Sequence, residues 1–296
     1  MSKTNTMTPQ PGPQHLSGES RSSLTPGLYV VATPIGNLRD ITLRALDVLG
    51  GADRILAEDT RQTGKLCEAY DISAKLTAYH DHNAAARIPQ VLGWLEAGQS
   101  VALVSDAGTP LVSDPGFKLV RAAVAAGHDV FPLPGASAVL AGLVKSGLPS
   151  DKFLFAGFLP AKPSARKREL DSLKTVPATL IFFETGPRIK AALTDMAEIL
   201  GARDVVLTRE LTKRYEEARQ GDFAELITSV EADPPRGELV LLVGPPSEDT
   251  SWDEARVKSA LEKILPDEGV KRASAQVADL SGWAKRDVYA LALSLK

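Results

Sequence analysis

The sequence has few residues of the types that form disulfides or structural metal sites. Cys67 is the sole cysteine among 296 residues, which excludes an internal disulfide framework and is typical of a reducing cytoplasm. The chain has only four histidines, and they are not clustered with cysteine as a structural zinc site requires. His80 and His82 form the only close pair, and this spacing favours a polar loop. We therefore expect no metal.

Long apolar runs and a strong charge bias are also missing. No stretch approaches the roughly 20 apolar residues that a membrane-spanning helix needs, and the beginning of the chain lacks the apolar segment of a secretory signal. The formal net charge is −3, whereas proteins that coat nucleic acid usually carry a strong basic excess. We expect a cytoplasmic protein without a membrane partner, in which any nucleic-acid contact depends on a local basic patch.

The common nucleotide and metalloprotease motifs do not occur. No G-x-G-x-x-G opens a helix after the first predicted strand, and G-x-x-x-x-G-K-[ST] is missing. These gaps disfavour a dinucleotide oxidoreductase and a P-loop NTPase. H-E-x-x-H is missing as well, so nothing indicates a zinc protease.

The composition of the chain divides it into four segments. Residues 1–24 are rich in Ser, Thr, Pro and Gln and predict a disordered tail. Residues 25–149 alternate short apolar runs with amphipathic stretches, which indicates strands and helices around a mostly parallel sheet. A second α/β domain is predicted over residues 150–247. Residues 252–296 predict a small helical domain of helix-turn-helix type, for which packing or dimerisation and RNA contact both remain open.

Small and polar turns follow four successive predicted strands of the first domain. These turns begin at Pro34, Thr60, Ala107 and Gly135. In open α/β sheets, ligands bind beyond the carboxyl ends of the strands, and small residues there let a ligand approach the main chain closely. Each turn alone is ordinary loop sequence, but the four together predict a ligand cleft at this edge.

Six separated motifs resemble the RsmI branch of the tetrapyrrole methylases. In chain order they are VATPIGNLRD from residue 31, AEDTR from 57, HDHN from 80, SDAGTP from 105, PGASA from 134 and RELTK from 209. The resemblance covers residues 27–246 and extends to the helical tail. It implies two α/β domains with a cofactor cleft between them, and a homodimer. The implied activity is S-adenosylmethionine-dependent methylation of the ribose 2′-hydroxyl of cytidine 1402 in 16S ribosomal RNA of the small ribosomal subunit.

The resemblance also implies the cofactor contacts. In the first domain they are Pro34, Gly36, Asn37, Leu38, Asp106, Gly108, Thr109, Gly135, Ser137 and Ala138. In the second domain Phe182, Phe183, Glu184 and Leu211 would close over the cofactor. The segment from Phe183 to Arg188 departs from many members of the branch because it lacks their histidine, which leaves Glu184 and Arg188 as its functional candidates.

Methyl transfer to a ribose hydroxyl needs a group that accepts the hydroxyl proton, or a cation that stabilises the alkoxide. Our hypothesis is that Glu184 or Asp106 orients or deprotonates the hydroxyl, while Lys213 makes it more acidic. Glu210 is a further candidate, and Glu58, Asp59 and Arg61 form a substrate-side group. For each of these residues an ion-pair or capping role remains the alternative. Asp114 is expected to cap the following helix, with Pro115 in its first turn.

A cluster of basic residues at the start of a predicted helix is expected to bind RNA phosphates. The full predicted RNA-binding set is Lys162, Arg166, Lys167, Arg168, Arg61 and Arg188. A solvated helix face is the alternative for the cluster. Two other functions also remain open: carbon methylation of a tetrapyrrole precursor, and a non-catalytic role in ribosome assembly.

Overall fold

The computed structural model describes residues 24–246 and 254–295. The predicted disordered tail lies outside the described residues except for Leu24, as does most of the segment that joins the second domain to the helical tail. The described chain contains two five-stranded sheets, followed by a pair of helices at the carboxyl end.

The first sheet is parallel throughout, with the strand order β3-β2-β4-β1-β5. The central strands β1 and β4 are buried along their whole length, as expected for a sheet with helices on both faces. This confirms the mostly parallel sheet. The three-residue strand β3 escaped prediction because it is too short to show a pattern. In chain order the elements are β1 Gly27–Val31, α1 Leu43–Gly51, β2 Arg54–Ala57, α2 Thr60–Ala69, β3 Leu76–Ala78, α3 Ala84–Glu96, β4 Ser100–Val104, α4 Phe117–Ala125, β5 Val130–Leu133 and α5 Ala138–Ser146.

The second sheet is mixed, with the order β6-β7-β10-β8-β9. Only β6 and β7 are parallel; the other neighbours are antiparallel. Strand β9 was not predicted because its sequence, EARQG, is almost entirely polar. The elements are β6 Phe153–Phe158, α6 Pro163–Leu173, β7 Thr179–Thr185, α7 Gly186–Leu200, β8 Val205–Arg209, β9 Glu217–Gly221, α8 Phe223–Ala232 and β10 Glu238–Val243.

Helix α5 joins the two sheets. Its residues Val139 and Leu143 pack in one buried cluster with Ile181, Val240 and other residues of the second sheet. A Cβ at Gly142 would come within 3.0 Å of Val240 Cγ1, so the absence of a side chain there lets the helix approach β10 closely. The helix that ends the first domain in sequence is thus packed on the sheet of the second.

The two faces of β7 serve different clusters because side chains alternate along a strand. Leu180 and Phe182 pack in the core beneath α7. Ile181 and Phe183 point to the other face, toward α5. This alternation decides which residues of the strand can reach the space between the domains.

The carboxyl end of the chain forms the predicted helical domain. The helix α9, Glu254–Ser281, is broken at Gly269, whose φ of 71° is not helical, and α10 spans Lys285–Ser294. Val257, Leu261 and Val277 are among the residues that form their shared core. Within the part of the chain that the structure describes, no helix combines the length and apolar character needed to cross a bilayer.

Candidate active site

A cleft of about 500 Å³ lies between the two domains, at the carboxyl edge of the parallel sheet. The first domain lines it with the loops that follow β1, β2 and β4 and with the beginning of α5; the second domain lines it with the ends of its strands. A pocket of about 450 Å³ adjoins it and shares Ile35, Asp106 and Ala107. The main cleft has the size of a typical small-molecule site.

Main chain forms much of the floor of the cleft. The loops after β1 and β4 exchange two hydrogen bonds, from Thr33 N to Gly108 O (2.8 Å) and from Gly108 N to Thr33 O (3.0 Å). Gly108 has a φ of 74°, which residues with a Cβ adopt only with strain. A Cβ at Gly135 would come within 2.8 Å of Ala32 Cβ. Both glycines therefore permit close packing of the loops beneath the cleft.

The first turn of α5 faces the cleft through Ser137, Ala138 and Val139. The Ser137 side chain caps this helix by accepting a hydrogen bond from Leu140 N. The first N–H groups of a helix have no acceptor within the helix, so this turn offers hydrogen-bond donors to a ligand. Thr109 Oγ1, on the neighbouring loop, donates to Ala136 O at 3.3 Å.

Most of the predicted cofactor contacts lie around this cavity. Pro34, Gly36 and Leu38 line the adjoining pocket rather than the main cleft. Asn37 accepts a hydrogen bond from Arg39 N and caps the short 3₁₀ helix Leu38–Asp40, and Gly135 supports the floor from behind. The predicted contacts that line the main cleft are Asp106, Gly108, Thr109, Ser137, Ala138, Phe183 and Leu211.

Phe182 and Glu184 are corrected by the structure, because both lie on the face of β7 that is turned away from the cleft. Phe182 is fully buried beneath α7. Glu184 is only 1% exposed; its Oε1 lies 3.1 Å from Arg188 Nε and accepts a hydrogen bond from Thr185 N. Arg188 in turn donates to the carbonyl of Leu159. Glu184 thus belongs to a structural ion pair at the start of α7 and does not meet a ligand in the cleft.

Glu210 and Lys213 both line the cleft and form an ion pair of 3.0 Å across the loop that follows β8. Glu210 and Thr212 have φ values of 51° and 65°, a left-handed conformation that is uncommon outside glycine and often marks functional loops. A Cβ at Gly36 would come within 2.6 Å of Lys213 Cγ. The glycine therefore lets this loop of the second domain rest on the first.

Asp114 is the most important residue that the sequence analysis misplaced. It does not cap α4, whose N-cap is Gly116; it lines the cleft instead. Burial raises the pKa of Asp114 to about 6, and the nearby Asp106 and Glu238 carboxylates add to the rise, while a hydrogen bond with Ser105 opposes it. The ordinary value is 3.8, so this carboxylate is an unusually strong base.

Glu58 and Glu238 complete an acidic end of the cleft together with Asp106 and Asp114. Burial raises the pKa of Glu58, and the charges of Asp114 and Asp106 raise it further. Asp59 lies beside this group, and its N–H donates to Asp106 Oδ1 at 2.9 Å. Glu58 was already named from sequence, in the predicted substrate-side group; it directly follows β2, and Asp106 lies just after β4. No such signal marked Glu238, which begins β10.

The predicted RNA-binding residues have different surroundings. Arg166 is corrected: it is buried in an ion pair of 2.6 Å with Asp195 and is not a surface cation. Lys167 binds Glu198 at 2.5 Å. Lys162, the N-cap of α6, and Arg168 within that helix are exposed. Arg61 is also exposed, but it is paired with Asp59. Its hydrogen bonds lower the pKa of the Asp59 carboxyl to about 2.

The loop that contains the two neighbouring histidines is held by hydrogen bonds around Asn83. The Asn83 side chain accepts from His80 N at 3.0 Å and donates to Ala78 O at 3.1 Å. In residues 24–246 and 254–295, no group of three or more His, Cys, Asp or Glu side chains is arranged to hold a metal ion.

Comparison with solved structures identifies the fold. Cobalt precorrin-4 methyltransferase, a cobalamin biosynthetic enzyme, superposes with a TM-score of 0.58 at 17% identity, over 73% of this chain and 94% of the other. Uroporphyrin-III C-methyl transferase from Thermus thermophilus, complexed with S-adenyl homocysteine, gives a TM-score of 0.53 at 19% identity, over 74% and 97%.

Sequence comparison identifies closer relatives. The family model of the Tetrapyrrole (Corrin/Porphyrin) Methylases matches residues 27–227, and that of the RsmI C-terminal HTH domain matches residues 252–296. The ribosomal RNA small subunit methyltransferase I of Mesorhizobium japonicum is 49% identical over 92% of this chain and 93% of its own length. The protein of that name from Escherichia coli O157:H7 is 45% identical over 95% and 98%. The chain therefore belongs to the tetrapyrrole methylases and, within them, to the family of ribosomal RNA small subunit methyltransferase I.

Proposed function

We propose that this protein is an S-adenosylmethionine-dependent methyltransferase of 16S ribosomal RNA in the small ribosomal subunit, and that it methylates the ribose 2′-hydroxyl of cytidine 1402. The observation that carries the proposal is the interdomain cleft with its main-chain floor. It lies in a chain that matches small-subunit RNA methyltransferases over about nine tenths of its length. We further propose that the enzyme acts as a homodimer in the cytoplasm.

The residues of the cleft suit S-adenosylmethionine. The first turn of α5 places free main-chain N–H groups at the cleft, and the small residues Gly108 and Ala138 let a ligand with adenine, ribose and amino-acid parts approach the backbone. Asp106 can accept hydrogen bonds from hydroxyl or amino groups, and Leu211 and Phe183 supply apolar walls. When bound, S-adenosylmethionine supplies a methyl group on a positively charged sulfur.

Transfer of a methyl group to a ribose oxygen releases the hydroxyl proton, so the site needs an acceptor for it. We assign this role to Asp114, because its raised pKa of about 6 brings it closer to neutral pH than an ordinary carboxylate. Asp106 is the second candidate. Lys213 is a cation that lines the cleft and would stabilise negative charge on the oxygen, with Glu210 fixing its position.

The acidic end of the cleft repels phosphate groups, so the RNA backbone must be bound outside it. Lys162, the N-cap of α6, and Arg168 within that helix are exposed, and α6 follows the strand whose last residue, Phe158, lines the cleft. Arg214 directly follows Lys213, which lines the cleft, and adds a further positive charge there. Phosphate contacts of this kind supply affinity but do not select a base.

The test is to incubate the purified protein with labelled S-adenosylmethionine and small ribosomal subunits from cells that lack this gene. We expect label in the ribose of one nucleotide, cytidine 1402, which mass mapping of RNA fragments identifies. A parallel incubation replaces the subunits with a tetrapyrrole precursor; label in that precursor and none in RNA would instead support carbon methylation. Binding to the subunit without transfer of label to any substrate would support an assembly factor.

A further inference from the structure

Phe158 is a large aromatic residue that remains exposed to solvent in the wall of the cleft. It is the last residue of β6, lines the cleft and is 45% exposed. Its ring contacts Phe183 at 5.5 Å between centroids with an angle of 63°, and Phe183 contacts Phe155 at 4.8 Å. The ring is therefore supported by Phe183, which is itself packed against Phe155, while much of its surface remains exposed.

A β-bulge is responsible for this orientation. Phe155 and Phe158 are three residues apart, so regular alternation would place them on opposite faces of the sheet. The register of β6 against β7 shifts between Phe155 and Gly157, and both phenylalanines consequently contact Phe183. Bulges commonly redirect a side chain next to an active site.

Gly157 makes the bulge possible. Its φ of 69° is left-handed, and a Cβ there would lie 3.3 Å from Ser113 Oγ. The bulge thus touches the loop that leads to Asp114. Phe158 and the proposed proton acceptor consequently belong to the same part of the cleft, and the charges of Glu58 and Glu238 interact with that of Asp114.

We propose that Phe158 is the platform on which the base of the target nucleotide stacks when its ribose reaches the cleft. This inference rests on the proposed function and extends it to the recognition of the nucleotide. Enzymes that modify a single nucleotide commonly take it out of the base stack and hold it against an aromatic side chain. The neighbouring carboxylates add specificity, since carboxylates accept hydrogen bonds from the N4 amino group of cytosine.

The same strand provides a matched control. Phe153, at the other end of β6, is 43% exposed, close to the value for Phe158, but it does not line the cleft. The two alanine variants therefore remove the same side chain with similar loss of burial. Phe158→Trp keeps an aromatic surface and serves as the rescue.

The experiment measures kcat/KM for unmethylated small subunits, and the Kd for S-adenosylmethionine by calorimetry, in all three variants. Stacking on an aromatic side chain changes affinity roughly ten- to hundredfold, so we expect Phe158→Ala to lower kcat/KM by at least about tenfold. Phe153→Ala and Phe158→Trp should stay within about threefold of the wild type, and the Kd of the donor should not change. An RNA with a fluorescent cytosine analogue at the target position should lose emission on binding the wild type but not Phe158→Ala.

Equal losses in Phe158→Ala and Phe153→Ala would overturn the proposal, and so would a weaker affinity for the donor with unchanged use of RNA. The latter result would place Phe158 against the methyl donor. If the wild type itself transfers no methyl group to the subunit, the proposed function fails. If the wild type is active and Phe158→Ala is equally active, only the role of Phe158 fails.

Discussion

Gly36 of the first domain lies against Lys213 of the second, so close that a Cβ at position 36 would come within 2.6 Å of Lys213 Cγ and 3.0 Å of the Leu211 carbonyl. The contact holds the loop of Glu210 and Lys213 over the place where the cleft meets its adjoining pocket. The geometry of the proposed catalytic cation thus depends on a residue without a side chain in the other domain.

Gly36→Ala should displace this loop and lower kcat/KM by roughly tenfold, since misplacement of a catalytic group by about 1 Å has large effects on rate. Steady-state kinetics with small subunits measures the change. Gly50→Ala is the control, because Gly50 lies within α1 with nothing within 4 Å of its added Cβ. That variant should keep its activity and gain about 0.5–1 kcal/mol of stability. Equal activity in both variants would refute the role of the contact.

The activity should fall at low pH because Asp114 must be deprotonated to accept a proton. With its pKa raised to about 6 by burial, the single-turnover rate should drop about tenfold for each pH unit below 6. Asp114→Asn should lower the rate by roughly 10²–10⁴-fold and remove this limb of the profile. A limb that persists in the variant would transfer the role to another group.

The same residue should lower the stability of the protein at neutral pH. Because the pKa of folded Asp114 lies near 6, above its ordinary 3.8, the native state binds the proton more tightly than the unfolded state. Its contribution is therefore greatest below about pH 4 and is lost as the pH rises through 6. Asp114→Asn should raise the free energy of unfolding at pH 7.5 by about 1 kcal/mol, a value reduced for solvent screening of this half-buried group. Urea unfolding at pH 4.5 should show little gain, and a gain independent of pH would contradict the explanation.

Arg166 and Arg168 should separate stability from RNA affinity. Arg166→Ala removes the closest partner of buried Asp195 and leaves only Lys167, at 3.7 Å, which should cost up to about 3–5 kcal/mol in the free energy of unfolding. Arg168→Ala should change stability by less than about 0.5 kcal/mol and reduce the salt dependence of RNA binding by about one phosphate contact. Urea unfolding and binding titrations at several salt concentrations test both statements. An unchanged slope in Arg168→Ala would remove α6 from the RNA interface.

Substitutions of Glu184 and Lys213 should separate stability from catalytic rate. Glu184→Gln breaks a buried ion pair away from the cleft, so it should lower the melting temperature but leave the single-turnover rate within a few fold. Lys213→Met should preserve the fold and lower that rate by at least about tenfold. A large loss of rate in correctly folded Glu184→Gln would return this residue to the catalytic candidates.

The sequence was sufficient to locate the edge of the sheet that carries the cleft. The turns after β1, β4 and β5 were recognisable from their small residues, and parallel strands bring such turns together. Asp106, Gly108 and Ser137 meet for this reason. Glu58 was also named as a candidate from the sequence, and it directly follows β2.

Most of what the sequence could not predict concerns the face of the strand on which a residue lies. The β7 run is apolar on both faces, so nothing in TLIFFET distinguishes Phe183 from Phe182, or shows that Glu184 points away from the cleft. Arg166 was different: it stands four and seven residues before Leu170 and Leu173, a helical spacing that predicts burial.

The placement of Asp114 depended on the backbone rather than on any pattern. Leu111 and Ser113 adopt φ values of 74° and 63°, which residues other than glycine rarely do. The loop therefore turns Asp114 into the cleft and leaves Gly116 to begin α4. Similarly, the bulge that aims Phe158 depends on a left-handed Gly157 within an otherwise ordinary apolar strand.

The packing of α5 on the second sheet also limits how this molecule can move. A hinge that separated the two domains like a clamshell would expose Val139, Leu143 and Val240 to water, at about 1.5–3 kcal/mol for each large side chain. The two domains are consequently held in a fixed relative position. We expect the methyl donor and the spent product to enter and leave through small movements of the loops at the edge of the cleft. The Lys213 loop is held in the same way, because Leu211 packs in the buried cluster around α5 and Glu216 binds both Thr212 N and Lys145 of α5; it can therefore shift only slightly.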